Sequence, residues 1–312
     1  MEKIFDCLCI GLIVADLLVK TVNPNVFRVD STKVDEIKAM PGGDAMNEAI
    51  ILARLGARVG LLGKIGADPF GRIVLNQAAA NGVNVKYVTI DDATKTTVSI
   101  VLINENGERN FVYCPGNNDH FSIADVNLSL LQQTRIVNVG SIFGLPLLDR
   151  GGIETIFHAA HENHVITTAD VTHDVAKLGF AGIKNILKLM DIFMPSYIEA
   201  VYLTQETKPE KMADVLLRAG VQTVVIKLGE KGCYIKTAGE CYEISSYPVR
   251  AVDTTGAGDN FVAGFLTGML KGWNLQQCGR FANAAGALCV QGMGATTAVR
   301  SFEQVVDYMQ NH

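Results

Sequence analysis

Short apolar runs rich in β-branched residues alternate along this chain with stretches whose apolar positions recur every three or four residues. The first pattern suits buried strands and the second suits helices with one apolar face. Strands are expected over Ile4–Gly11, Val59–Lys64, Arg135–Val139, His164–Ala169, Ile192–Pro195 and Thr223–Leu228. Helices are expected over Ala45–Leu55, Phe70–Ala80, Ile153–Glu162, Met212–Ala219, Ala257–Lys271, Leu275–Val290 and Phe302–Met309. Strand–helix alternation predicts an α/β fold, a three-layer sandwich with a mostly parallel central sheet and helices on both faces. In such sheets ligands bind beyond the carboxyl ends of the strands.

One region breaks the alternation. Thr97–Asn104 and Glu108–Cys114 flank Glu105-Asn106-Gly107, a hairpin signal with glycine in the loop. Val26–Arg28 and Val34–Ile37 add two short strand candidates. A small second sheet is therefore expected from about 17–40 and 95–115 of one domain spanning 1–312. Such a sheet is either a lid over a site or a decorative hairpin.

Composition narrows the class. A length of 312 residues and an apolar fraction of 48% suit one large domain with a sizeable core. Net charge is −5 with no basic block, which excludes a nucleic-acid surface. Asp6 and Asp16 interrupt the apolar stretch from Ile4 to Val19, so it reads as a buried first strand rather than a leader. No apolar run approaches the ~18 residues of a membrane span, and a cytoplasmic protein without a membrane partner is expected. The 7 cysteines include no Cys-x-x-Cys pair, which argues against zinc.

The segment Asp253-Thr254-Thr255-Gly256-Ala257-Gly258-Asp259-Asn260-Phe261 carries the strongest chemical signal. Gly256, Ala257 and Gly258 allow close approach of the backbone to a ligand. The helix that follows aims unpaired N–H groups and its positive dipole end at the same spot, an arrangement suited to phosphate. Asp259 at that lip is placed to accept a hydroxyl proton. The same string also serves a plain tight turn, with Asp259 as a first-turn carboxylate. Upstream, Pro41-Gly42-Gly43-Asp44-Ala45-Met46-Asn47 opens a helix with Asp44 as candidate N-cap. With Asp16 after the first strand, Asp44 and Asn47 offer short polar groups for a polyol.

Together these segments resemble the ribokinase-like, or PfkB, family of carbohydrate kinases. The resemblance also rests on Ala53-Arg54-Leu55-Gly56, Gly63-Lys64-Ile65-Gly66-Ala67-Asp68-Pro69-Phe70-Gly71, Lys227-Leu228-Gly229-Glu230-Lys231-Gly232 and Phe281-Ala282-Asn283-Ala284-Ala285. It implies transfer of the ATP γ-phosphoryl group to a sugar hydroxyl, with Mg2+ on the phosphates. Carried over by position, Asp259 is the base and Gly256, Ala257 and Gly258 form the anion hole. Ser196, Lys227, Gly229, Gly232 and Asn283 line the nucleotide site, and Asp16, Gly42, Gly43, Asp44 and Asn47 hold the sugar. Asp253, Thr255 and carbonyls near Gly292–Gly294 match a potassium site. Glu199 acts on magnesium through water. The exposed strands of the lid imply a homodimer.

Some positions depart from the pattern. Ser196-Tyr197-Ile198-Glu199 has serine where the family often has asparagine. Val139-Gly140-Ser141 lacks an acid found in ribokinases, which disfavours ribose. Asp170-Val171-Thr172-His173-Asp174 keeps the aspartate of a sugar-kinase motif without its arginine. Gly107-Glu108-Arg109 is similar to sugar-acid kinases, so Arg109 either receives a carboxylate or is a solvated charge. The expected acceptor is a hexose, ketose or sugar acid. Two other readings stay open. One is a sugar-phosphate kinase drawing on Lys38, Lys95 and Arg109, and the other is a non-catalytic sugar- or nucleotide-binding regulator.

Overall fold

Fourteen strands and nine helices follow one another along residues 3–106 and 109–312, which the computed structural model describes. Gly107 and Glu108 of the expected hairpin lie outside the described residues. The first half contains β1 (Phe5–Ile10), β2 (Val14–Lys20), β3 (Glu36–Gly42), β4 (Val59–Leu62), β5 (Lys64–Gly66), β6 (Thr89–Asp91), β7 (Thr97–Ile103) and β8 (Arg109–Cys114). The second contains β9 (Thr134–Ile142), β10 (Ile166–Val171), β11 (Ile192–Phe193), β12 (Thr223–Lys227), β13 (Cys233–Lys236) and β14 (Cys241–Ile244). The helices are α1 (Asp44–Arg54), α2 (Pro69–Ala80), α3 (Gly152–Glu162), α4 (Gly179–Leu187), α5 (Tyr197–Thr204), α6 (Pro209–Arg218), α7 (Ala257–Leu270), α8 (Leu275–Cys289) and α9 (Phe302–Asn311).

The main sheet has eight strands in the order β14-β13-β12-β11-β10-β9-β1-β4. From β4 to β12 every pairing is parallel, and β13 and β14 add an antiparallel edge. Strand alternation builds the two faces. Val224 and Ile226 of β12 enter the apolar cluster against α3 to α6, while Val225 between them enters the cluster against α1, α7 and α8. The same parity puts Val137 and Val139 of β9 on one side and Ile136 on the other. The mostly parallel sandwich expected from the alternation is the architecture found.

The small sheet is four-stranded, in the order β3-β2-β7-β8. Two of its strands correct the expectation. Val26–Arg28 is an exposed 3₁₀ turn, not a strand, because Asn23 and Asn25 cap it through turn hydrogen bonds and it has no partner strand. Its place is taken by β2, which continues the apolar stretch that also supplied β1. The candidate at Val34–Ile37 lies further on, at Glu36–Gly42. Helix α1 starts one residue earlier than a capping Asp44 would require. Gly43 is the N-cap, and Asp44 is the first helical residue.

Candidate active site

Polar residues gather at the carboxyl ends of the central strands, on the face covered by α1 and α7. Gly256 is the N-cap of α7 with φ 76°, a left-handed conformation natural to glycine. Ala257, Gly258 and Asp259 form the first helical turn, whose N–H groups have no partner within the helix. Ala257 and Gly258 border a cavity of about 810 Å³, which Lys227, Gly229, Gly232, Thr254 and Asn283 also line. That size suits a nucleotide or other small ligand. Gly229 and Gly232 both have positive φ, and a Cβ at Gly232 would overlap the Ile244 carbonyl oxygen. Asn283 lines the cavity while its Nδ2 donates to the carbonyls of Ile244 (3.0 Å) and Ser245 (3.2 Å), tying down the loop after β14.

On the other side of Asp259 lies a cluster of carboxylates and amides. Asn47 Nδ2 donates to Asp259 Oδ2 at 2.7 Å, and Ser141 Oγ donates to Asp44 Oδ2 at 2.6 Å. Asp16 packs so tightly on Gly42 that a Cβ there would lie 2.5 Å from Asp16 Cγ. Gly43 has φ 88° and its absent Cβ faces the Leu12 carbonyl, which lets β3 turn directly into α1. Asn47 Oδ1 is buried without a hydrogen-bond partner, which fits an acceptor awaiting a ligand hydroxyl. Burial, reinforced by the Asp44 charge, pushes Asp259 well above the usual carboxylate range and Asp16 up to about 7. Burial also raises Asp44.

A third group joins the two halves. Lys227 Nζ donates to Asp170 Oδ2 at 2.5 Å, and Glu199 lies close enough to act on both charges. Burial would lower the Lys227 pKa, but the Asp170 and Glu199 charges hold it above the ordinary lysine value. Burial, with the Asp170 charge, moves Glu199 up to about 6. Its Oε2 accepts the Ser196 N–H at 2.6 Å while the Ser196 hydroxyl caps α5. Asp170 was expected beside the acceptor; its partner here is Lys227.

Arg109 reaches the turn that precedes α7. Its guanidinium hydrogen-bonds Asp253 and the Thr255 hydroxyl, and Nη2 donates to Thr254 Oγ1 at 3.0 Å. Asp253 also accepts the N–H groups of Thr255 and Gly294, both at 2.8 Å. These bonds hold its pKa below the ordinary value in spite of burial. The Thr255 carbonyl accepts Cys289 Sγ at 3.4 Å. Asp253, Thr255 and Gly294 are thus brought together, but this arrangement does not fit potassium, because a guanidinium already neutralises the carboxylate.

A family model described as pfkB family carbohydrate kinase matches residues 5–301. The chain belongs to this family. It is 30% identical to a protein named uncharacterized sugar kinase from Archaeoglobus fulgidus, across 78% of this chain and 96% of the relative. It is 30% identical to fructokinase-2 of Oryza sativa subsp. japonica, across 88% and 87%. A crystal structure of a putative ribokinase II from E. coli, described as in complex with ATP and Mg+2, superposes with a TM-score of 0.88 at 25% identity, covering 100% of both chains. This carbohydrate kinase therefore has the ribokinase-like α/β fold and is a phosphotransferase acting on a sugar.

Three site residues of the kinase had no place in the sequence reading. Glu48 is fully buried on α1, and its Oε2 accepts Asn138 Nδ2 at 2.6 Å. Asn138 Oδ1 in turn accepts Thr168 Oγ1 at 2.6 Å. The signal was there: each is a polar residue within an apolar run of α1, β9 or β10. Burial, with the nearby Asp259 charge, pushes Glu48 well above its ordinary value.

Asp16 yields a pH prediction. With its pKa at about 7, raised by burial, the free enzyme gains the ionised form as pH rises through that value. Only the carboxylate accepts two sugar hydroxyls fully. The acceptor kcat/KM, which reports the free enzyme, should therefore rise from pH 6 toward pH 8. Asp16→Asn should remove that limb. An unchanged limb in the variant would assign the titration to another group.

Proposed function

We propose that this kinase transfers the γ-phosphoryl group of ATP to a hydroxyl of a neutral monosaccharide, a hexose or ketose. The observation that carries the reading is the position of Asp259. It lies between a nucleotide-sized cavity ending at Gly258 and a polyol-like cluster containing Asp16, Asp44 and Asn47. Asp259 takes the acceptor proton. The first-turn N–H groups at Gly256, Ala257 and Gly258 stabilise charge on the transferring group. Phosphoryl transfer needs alignment and charge neutralisation above all. Closure of the small sheet over the site excludes water.

No group of three ligating side chains that could hold a metal gathers among the described residues. The Asp170 and Glu199 carboxylates suit a hydrated magnesium ion that arrives with the ATP phosphates, a mode typical of this cation. When bound, it supplies further charge neutralisation.

Electrostatics favour a neutral acceptor. The acceptor side presents Asp16, Asp44 and Asp259, while Lys227 and Arg109 are already paired with Asp170 and Asp253. Lys38 and Lys95 are exposed. A sugar acid or sugar phosphate would add like charge to this cluster. The outer strand of the small sheet, β8, exposes Phe111, Val112 and Tyr113, which supports a homodimer formed through that edge.

The test is ADP release across neutral hexoses and ketoses, sugar acids and sugar phosphates, with and without potassium. Turnover should be greatest with a neutral sugar and independent of potassium. A sugar acid or sugar phosphate as best substrate would overturn the neutral-acceptor reading. Turnover with none of them would favour a binding protein.

A further inference from the structure

The first residue of β8 reaches out of the small sheet and grips the turn that starts α7. Arg109 stands opposite Ile103 of β7 in the sheet register. Its guanidinium hydrogen-bonds three successive residues, Asp253, Thr254 and Thr255, which lead into the N-cap Gly256. Among the described residues this is the only ion pair made by the four strands of the small sheet. The Asp253 side chain is 7% exposed. Its Oδ1 also accepts the Thr255 N–H, and its Oδ2 accepts the Gly294 N–H, so it ties the turn to the chain around Gly294. A carboxylate buried in this way is costly without a positive partner. A guanidinium offers five donors in a rigid planar fork and keeps its charge at any ordinary pH. It can therefore hold one carboxylate and two hydroxyls at once. That fixes the relative positions of three residues that set the direction of the α7 N-terminus. Thr254 also lines the cavity, so the turn held by Arg109 forms part of the cavity wall.

We propose that Arg109 is a positioning residue. The small sheet supplies, as a guanidinium built into the chain, the cation that holds the Asp253–Thr255 turn and keeps the first N–H groups of α7 aimed at the transferring phosphoryl group. No free monovalent ion is needed there. This inference rests on the kinase reading above. An Arg109 that received an acceptor carboxylate would instead govern the acceptor KM. An ion pair that served only the fold would set the unfolding temperature without making turnover depend on an added cation.

The experiment is steady-state kinetics of the wild type and Arg109→Ala with ATP, magnesium and the neutral sugar turned over best. Both are measured in tetramethylammonium chloride, and again with potassium or low-millimolar guanidinium replacing part of it at equal ionic strength. Losing charge-assisted hydrogen bonds predicts a kcat lower by roughly 10- to 100-fold in tetramethylammonium, with the acceptor KM near the wild-type value. A small cation that fits beside Asp253 should restore part of kcat in the variant and leave the wild type unchanged. Arg109→Lys keeps the charge without the fork, and its kcat should lie between the two with no response to potassium. A kcat loss that neither cation relieves, no loss at all, or a wild type that potassium stimulates would overturn the assignment and leave the kinase reading intact. A rise in acceptor KM confined to sugar acids would overturn it in favour of a carboxylate subsite. A wild type that turns over no sugar would overturn both readings. If Arg109→Ala does not fold because Asp253 is left buried and unpaired, Arg109→Lys carries the test alone, and a wild-type kcat in that variant would overturn the proposal.

Discussion

Asp259→Asn is expected to lower kcat by roughly 10²- to 10⁴-fold, the usual contribution of a positioned general base. Nucleotide affinity should stay near that of the wild type. The amide has nearly the carboxylate's shape, and Asn47 at 2.7 Å from Asp259 Oδ2 can still hydrogen-bond it after an amide flip. What the amide cannot do is accept the acceptor proton. Burial and the Asp44 charge already raise the Asp259 pKa, which makes the carboxylate a stronger base than an exposed one. Single-turnover kinetics together with nucleotide titration separate the two effects. A variant turning over within a few-fold of the wild type would remove Asp259 from the chemistry.

Gly256→Ala should damage both fold and catalysis. Its φ of 76° is left-handed, where a residue with a Cβ costs about 1–2 kcal/mol. The new Cβ would lie 2.6 Å from Ala295 Cα, a contact with backbone that a side-chain rotation cannot relieve. Overpacking of this kind costs about 1–3 kcal/mol more. Relief must come from moving the 294–297 loop, which holds Asp253 through the Gly294 N–H, or from turning the first N–H groups of α7 off line. Loss of one such donor typically costs 10²–10³ in kcat. Gly258→Ala is the control for the fold, because its Cβ would meet the flexible Lys227 side chain at 3.4 Å and no backbone. Thermal unfolding measured on both variants should rank Gly256→Ala as far the worse. Similar behaviour of the pair would contradict this account of the turn.

Local pattern made the framework readable, because buried parallel strands and amphipathic helices carry distinct periods. The Asp253–Phe261 segment was readable for the same reason, since glycine turn, helix start and carboxylate are contiguous. Other features depend on partners far away in sequence. Lys227 and Asp170 are separated by 57 positions, and Asn138 and Glu48 by 90. No local period encodes such pairings. Asp170 was expected just past the strand His164–Ala169, yet β10 extends through Val171 and delivers it to the strand end beside Lys227. Arg109 reaches across 144 positions to Asp253, which no reading of the hairpin alone indicates.

One missed element had a local signature. Ser196-Tyr197-Ile198-Glu199 has the spacing of a capping box, in which serine and glutamate satisfy each other's backbone N–H groups. The structure uses it to start α5.

The most direct test of the central claim is a crystal structure with a non-hydrolysable ATP analogue, magnesium and the best neutral acceptor. The account predicts the terminal phosphate on the N–H groups at Gly256–Gly258 and one acceptor hydroxyl within about 2.6–3.2 Å of Asp259. A terminal phosphate bound elsewhere, or an acceptor out of reach of Asp259, would contradict it.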